Sequence, residues 1–171
     1  LFHLRAGFVY YGGLIASWLF LVIYLKHYRM PFWPVLDAFA MAICLGLAIG
    51  RLGCLLGGCC FGVPTKMPWG VVLVNESALG ALHPAPIYEA IILVFIFLTC
   101  WLRRKKKAYE GSCVVWFVGS YAIARFILEY WRGDIIRGYI IDELLTTSQF
   151  LSVPMLGVAV FLHFRLSVSG K

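Results

Sequence analysis

One stretch in the second half of the chain carries ionisable side chains at helical spacing. Tyr121, Arg125, Glu129 and Arg132 follow one another at steps of four, four and three residues, which places them on one face of an α-helix. This pattern suits two kinds of chemistry. One is a structural arginine–glutamate–arginine ladder whose long stems carry the charges toward water. The other is a polar wall on which a guanidinium binds a phosphate group through two parallel hydrogen bonds.

A further arginine, Arg51, lies in a glycine-rich run. The thirteen residues from Gly50 to Gly62 include five glycines, a composition unsuited to a stable plain helix in water. Near a membrane, such a run allows close helix packing or a broken helix that lines a cavity. No acidic residue lies within one turn of Arg51, so its partner must come from elsewhere in the fold. Arg51 is therefore either an interfacial anchor or a second phosphate-binding arginine.

His83 and Pro84 come just before a predicted helix. Pro86 suits the first helical position, and Glu89 favours the positive N-terminal end of that helix. His83 serves there as a general base or as a capping residue, and this segment alone favours the cap.

A pair of glycines near the start of the chain follows two tyrosines. Tyr10-Tyr11 precedes Gly12-Gly13, and the missing side chains let another backbone or a lipid headgroup approach closely. By itself this pattern is not specific for any function.

The six cysteines fall into two groups. Cysteines 44, 100 and 113 lie in apolar blocks and are predicted to pack as small apolar residues. Cys54, Cys59 and Cys60 are predicted to face an oxidising exterior, where a Cys54–Cys59 or Cys54–Cys60 disulfide can form. Otherwise these thiols simply pack. A zinc site needs further ligands, and His83 and His3 are the outward histidines, so we expect no metal site.

The overall composition identifies the class of protein that holds these residues. Of 171 residues, 62% are hydrophobic and 13% are charged, whereas soluble domains carry roughly 45–50% apolar and 25% charged residues. Disordered chains show the opposite bias. The net charge of +7 comes from short basic clusters between apolar blocks, which fits membrane loops facing anionic lipid better than a nucleic-acid-binding face. The sequence therefore predicts a polytopic membrane protein.

The apolar blocks predict an all-α transmembrane bundle forming a single domain over residues 1–171. A helix needs about 20 mostly apolar residues to cross the hydrocarbon core, and the blocks are too long for outer-membrane strands. The five predicted spans are Val9–Leu25, Trp33–Ile49, Pro86–Leu102, Cys113–Leu128 and Gln149–Phe164.

Basic loops predict the orientation of the bundle. Three clusters follow the first, third and fifth blocks and fall on one side, which is therefore cytosolic. They are Lys26 with Arg29, Arg103–Lys107, and Arg165 with Lys171. The start of the chain, residues 51–85 and residues 128–148 then face outward, with 63–85 as an outward-facing loop.

Taken in order, these segments resemble the bacterial prolipoprotein diacylglyceryl transferases over nearly the whole chain. Each motif is modest alone, but five in register are specific. They are Arg5–Leu14, which ends in Gly-Gly-Leu; Gly50–Gly62, similar to Gly-Arg-x-Gly-Asn-x(7)-Gly; His83-Pro84 with Tyr88-Glu89; Tyr121-x-x-x-Arg125-x-x-x-Glu129-x-x-Arg132; and Gln149–Met155.

The resemblance implies both a topology and a reaction. The family has seven spans, so two more are expected before Leu1. Its members work in the bacterial plasma (inner) membrane, with the active site facing the outer leaflet. They transfer the diacylglyceryl group of phosphatidylglycerol to the lipobox cysteine thiol of a prolipoprotein signal peptide, and glycerol phosphate leaves. No cofactor, metal or nucleotide is implied.

The resemblance also assigns residues to the site. The implied catalytic residues are Arg51, Arg125, His83, Tyr11 and Glu129. The implied substrate-binding residues are Gly12, Gly13, Cys54, Gly62, Tyr88, Tyr121 and Arg132.

The chain departs from the family motifs at three places. Cys54 replaces the signature asparagine, and Cys59-Cys60 replaces a usual acidic residue. Tyr11 stands where a histidine is frequent, and Pro86 where a glutamine is usual. A paralogous lipid-modifying transferase with another donor or acceptor is therefore an alternative, and a non-enzymatic membrane scaffold is another. A transporter is disfavoured because the sequence has no internal repeat.

Overall fold

The described part of the protein is mostly α-helical, as the apolar blocks predict. A computed structural model describes residues 2–72, 80–104, 109–132, 139–141 and 145–169. Lys105–Lys107 and Lys171 of the predicted basic clusters lie outside these residues. Each predicted apolar block falls within one of five helices in the described part of the chain. They are α1 (Phe2–His27), α2 (Phe32–Leu56), α3 (Ala85–Arg104), α4 (Ser112–Leu128) and α5 (Thr147–Ser169).

Four stretches of helix are long and apolar enough to cross a membrane: Phe32–Leu56, Ala85–Arg104, Ser112–Trp131 and Ser148–Val168. In α1, the corresponding apolar stretch among the described residues is the shorter Ile15–His27. The all-α membrane fold is confirmed, and the number of five spans stays a prediction.

The chain divides into two compact units, residues 1–35 and residues 36–171. In the first unit, α1 ends in a tight turn at Arg29, whose φ of 51° is left-handed. The amide of Met30 closes this turn by donating to the carbonyl of Leu25 at 3.0 Å. The rings of Trp18 and Phe32 meet edge to face, with centroids 6.3 Å apart.

In the second unit, small buried side chains bring the helices close together. Cys44 of α2, Ile96 and Cys100 of α3, and Cys113 of α4 form one buried cluster. The thiols of Cys100 and Cys113 each donate to the other residue's carbonyl at 3.7 Å. The predicted packing role of these three cysteines is confirmed.

Asp37 ties the start of α2 to the start of α4. Its buried carboxylate accepts backbone N–H bonds from Gly111 at 3.0 Å, Cys113 at 2.9 Å and Val114 at 3.0 Å. Gly111, the residue before α4, makes no side-chain capping bond of its own. Asp37 therefore caps α4 from another helix, and its negative charge complements the positive end of the α4 dipole.

Short strands cross the opposite end of this unit. In the predicted 63–85 loop, β1 (Val71–Val72) pairs antiparallel with β2 (Ala81–Leu82), and Pro64 also bridges to Leu82. Residues 73–79 lie outside the described part of the chain. A second antiparallel pair, β3 (Tyr139–Ile141) and β4 (Leu145–Thr146), precedes α5.

Candidate active site

Glu89, in the second turn of α3, is the centre of a buried polar cluster. Its side chain is 4% exposed. Oε1 is 2.9 Å from Nη2 of Arg51 and accepts a 3.0 Å hydrogen bond from the hydroxyl of Tyr121. Oε2 is 3.5 Å from Nη1 of Arg125 and 3.5 Å from Nη1 of Arg132. The partner that Arg51 lacks within its own helix is therefore Glu89.

The conformation at the end of α4 brings Arg125 and Arg132 to the same carboxylate. The helix ends at Leu128 and tightens into a 3-10 turn over Glu129–Trp131, after which Arg132 is extended. The carboxylate of Glu129 is 3.7 Å from Nη2 of Arg125. The predicted one-sided grouping of Tyr121, Arg125, Glu129 and Arg132 is thus present as contacts, although the last two residues are not in regular α-helix.

The charged groups of the cluster are largely buried. Contacts among its described residues join three guanidiniums to two carboxylates. The side chains of Arg125 and Arg132 are 13% and 3% exposed. Buried charge is costly unless it is paired and hydrogen-bonded.

Arg125 has a hydrogen-bond donor that is available for an anionic ligand. Its Nη1 is buried, and no described residue makes a hydrogen bond with it. The 3.5 Å separation from Glu89 is too long for a good charge-assisted hydrogen bond. Its Nη2 donates to Oγ of Ser148 at 3.1 Å, which fixes the plane of the guanidinium.

A capping box at the start of α5 places Ser148. The hydroxyl of Thr146 accepts from the amide of Gln149 at 3.3 Å, and the Gln149 side chain accepts from the amide of Thr146 at 3.2 Å. This reciprocal pair satisfies two backbone donors at the helix start. Gln149 belongs to a predicted motif, whereas the contact of Ser148 with Arg125 is revealed by the structure alone.

Gly62 holds the loop segments together beside the cluster. Its amide donates to the carbonyl of His83 at 2.8 Å, and the next amide, of Val63, donates to the carbonyl of Trp131 at 3.1 Å. A Cβ at Gly62 would collide with the carbonyl oxygen of Trp131 and lie 2.8 Å from the Cβ of His83. The close approach therefore requires glycine here, and it brings the His83 segment next to Arg132, with which Gly62 forms a bridge.

His83 belongs to a chain of three aromatic side chains. The indole N–H of Trp69 donates to the hydroxyl of Tyr88 at 2.8 Å, and that hydroxyl is 3.0 Å from Nδ1 of His83. The imidazole thus contacts Tyr88, and it is the carbonyl of His83 that accepts from the amide of Ala85 at the start of α3. The sequence-based prediction that His83 caps the helix through its side chain is therefore wrong for Nδ1. The sequence does not predict Trp69 as a member of this group.

Cys54, Cys59 and Cys60 gather at the end of α2 as free thiols rather than as the disulfide considered from sequence. Their sulfur atoms all lie within 4.8 Å of one another. The pKa of the Cys59 thiol is raised to about 11, first by its hydrogen bond with Cys60 and to a smaller extent by desolvation.

The remaining predicted residues lie in the other unit of the chain. Gly12 and Gly13 are in α1, and the side chain of Tyr11 is outside the described part of the structure. Their assignment to the site stays a prediction.

Comparison with known proteins gives a consistent result. A family model described as prolipoprotein diacylglyceryl transferase matches residues 1–165. Three relatives carry the name phosphatidylglycerol–prolipoprotein diacylglyceryl transferase. The protein from Clostridium tetani is 35% identical over 91% of this chain and 62% of its own length. The one from Wolbachia pipientis wMel is 35% identical over 92% and 62%, and the one from Sinorhizobium medicae is 31% identical over 92% and 58%. The chain thus spans about three-fifths of the length of these relatives.

Proposed function

The chain belongs to the prolipoprotein diacylglyceryl transferase family, and from this premise we propose that the Glu89 cluster transfers a lipid group to protein. The donor is phosphatidylglycerol, and the acceptor is the lipobox cysteine thiol of a prolipoprotein signal peptide. The names of the relatives support phosphatidylglycerol and a prolipoprotein as the substrates.

The buried Nη1 of Arg125, with which no described residue makes a hydrogen bond, is the observation that carries this proposal. The phosphodiester of phosphatidylglycerol is an anion, and Arg51 and Arg125 meet in the cluster through their shared ion-pair partner Glu89. The phosphate accepts hydrogen bonds from Nη1 of Arg125 and from Arg51. Arginine is suited to this role because its planar fork matches two oxygens of a phosphate.

The reaction exchanges one bond to carbon for another. The acceptor sulfur forms a bond to the glycerol carbon of the diacylglyceryl group, and the bond from that carbon to the phosphate oxygen breaks. The oxygen keeps the electron pair, and glycerol phosphate leaves. Arg51 and Arg125 stabilise the negative charge that develops on this oxygen, which is the effect of preorganised donors in a site shielded from water.

The thiol must lose its proton, since the thiolate is the nucleophile. His83 accepts this proton at Nε2. Its Nδ1 carries a hydrogen and donates a hydrogen bond to the hydroxyl of Tyr88. The Tyr88 oxygen has two lone pairs and can accept from His83 and Trp69 together. The contacts at 2.8 and 3.0 Å therefore orient the imidazole and favour the tautomer that can act as a base.

The site faces the outer leaflet of the bacterial plasma membrane in this proposal. Glu89 lies near the start of α3, and Arg103 and Arg104 lie at its end. The 20 residues of this helix extend about 30 Å, the thickness of the hydrocarbon core. The basic end is cytosolic by the positive-inside rule, which puts Glu89 at the opposite surface.

Membranes containing the protein provide the test. They are incubated with phosphatidylglycerol labelled in its acyl chains and with a lipobox peptide, and the peptide mass and label are followed. We expect label on the peptide cysteine and none on a matched peptide with serine at that position. Label transferred only from a different anionic phospholipid would indicate a paralogous lipid-modifying transferase with another donor. This is the second candidate function, which the cysteines near Arg51 favour. No transfer from any lipid would contradict the enzymatic proposal.

A further inference from the structure

The end of α2 brings two cysteines together through its backbone. The amide of Gly58 donates to the carbonyl of Leu55 at 3.1 Å, and the amide of Cys59 donates to the carbonyl of Cys54 at 3.0 Å. Gly58 has a left-handed φ of 66°. These are the features of a Schellman motif, in which the side chains at the positions of Cys54 and Cys59 come into contact.

Cys60 completes a group of three thiols. It has a φ of 64°, a left-handed conformation that residues other than glycine rarely adopt. The sulfur atoms of Cys54, Cys59 and Cys60 all lie within 4.8 Å of one another. Cys59 is exposed, while Cys54 and Cys60 are half-buried. The group is therefore open to solvent on one side and shielded on the other.

We propose that Cys54, Cys59 and Cys60 bind a thiophilic d10 metal ion. Thiolates select soft ions of this kind. Metal–sulfur bonds of about 2.3 Å place three sulfurs around one ion roughly 4 Å apart, so sulfurs already within 4.8 Å need only small adjustments. The exposed side leaves a fourth position for water.

This site differs from the arginine–glutamate cluster and does not depend on the transfer reaction. Its ligands are sulfur atoms on one turn, whereas the Glu89 cluster consists of guanidiniums, carboxylates and a phenol. Binding of a divalent ion replaces three S–H bonds by three S–metal bonds and releases three protons to the buffer. The thiols are neither oxidised nor reduced, so no electron acceptor is needed.

Cadmium ions added to the purified protein test the proposal. The protein is kept reduced in detergent under inert gas, and sulfur-to-cadmium charge-transfer absorption, bound cadmium and released protons are measured. We expect a single bound ion per chain, with the absorption characteristic of thiolate ligands. Cys54→Ser, Cys59→Ser and Cys60→Ser should each weaken binding at least about tenfold, because each removes a ligand.

Cys44→Ala is the matched control. Cys44 lies in α2 as well, but it is buried in the helix core away from the turn. We expect this variant to bind cadmium like the parent, and far-ultraviolet circular dichroism confirms that each variant remains helical. The proposal is overturned if the parent binds no cadmium or if the serine variants bind as tightly as the parent. The protein is also isolated without reductant in the presence of cadmium. A disulfide among the three cysteines under these conditions would also overturn the proposal.

Discussion

Replacing Glu89 by glutamine should destabilise the protein far more than the same replacement of Glu129. Glu89 contacts three guanidiniums and one phenol, the nearest at 2.9 Å. A glutamine carbonyl at the position of Oε1 keeps acceptors for Arg51 and Tyr121. Its amide group at the position of Oε2 then points N–H groups toward Arg125 and Arg132, so donors face donors.

The magnitude follows from these contacts. Removing one partner of a buried ion pair costs about 3–5 kcal/mol because charge is left uncompensated. Glu129 forms an ion pair with Arg125 at 3.7 Å. Arg125 keeps Glu89 as a partner when Glu129 is replaced, so Glu129→Gln should cost about 1–2 kcal/mol. The difference of about 1–4 kcal/mol corresponds to roughly 2–16 °C in Tm for a chain of this size.

Thermal unfolding in detergent, followed by circular dichroism, measures this difference directly. Both variants remove one buried negative charge, so the comparison isolates the contacts rather than the net charge. Transfer activity should also fall at least about tenfold in Glu89→Gln, because three arginines lose their common anchor. Equal Tm values for the two variants would refute the central role assigned to Glu89.

Three further substitutions test the elements that support the site. Asp37→Asn should lower the free energy of unfolding by about 2–4 kcal/mol, since an amide group replaces the oxygen that accepts from Gly111. Chemical unfolding measures this loss, with Glu110→Gln, at an exposed neighbouring position, as the control. Equal effects of the two substitutions would contradict the capping role. Gly62→Ala should cost about 1–3 kcal/mol of stability by overpacking. Gly53→Ala should be nearly neutral, because a Cβ there meets nothing within 4 Å. Equal Tm values for the two variants would argue against the close approach at Gly62. Trp69→Phe removes the donor to the Tyr88 hydroxyl and should change the pH profile of kcat with little change in KM; an unchanged profile would exclude a positioning role.

Composition and local spacing predict much of this protein. Long apolar blocks define the helices because a membrane span needs its length and hydropathy within one segment. The steps from Tyr121 to Arg132 predict a shared face because helical neighbours are set by local geometry. Both features depend on residues close in sequence.

Contacts between distant segments are what the sequence does not reveal. The pattern predicts Glu89 only as an acid that suits a helix start, yet it is where arginines from α2 and from the end of α4 meet. Asp37 passes unnoticed although it caps a helix that begins 75 residues later. A signal exists in both cases: each is the only acidic residue in its long apolar helix, and buried acids need partners. Which partners they find depends on tertiary packing.

The thiol cluster illustrates a different limit. Cys54 and Cys59 are five residues apart, a spacing that does not place them together on an extended helix. Their contact arises because Gly58 ends the helix in a left-handed turn. The glycine-rich composition predicts a break, but the direction of the chain after the break depends on which glycine adopts the positive φ.

Arg125→Lys gives the most direct test of the proposal that this cluster binds the lipid phosphate during transfer. Lysine keeps the charge but lacks the planar fork that holds Ser148, Glu89 and a phosphate together. Diacylglyceryl transfer from labelled phosphatidylglycerol to a lipobox peptide should fall at least about tenfold, with the helical fold intact. Arg104→Lys is the control, because Arg104 stacks on Trp101 at the far end of α3 and should retain full transfer. Transfer by Arg125→Lys at the rate of the unmodified protein would contradict the account, since a simple membrane anchor tolerates lysine equally well.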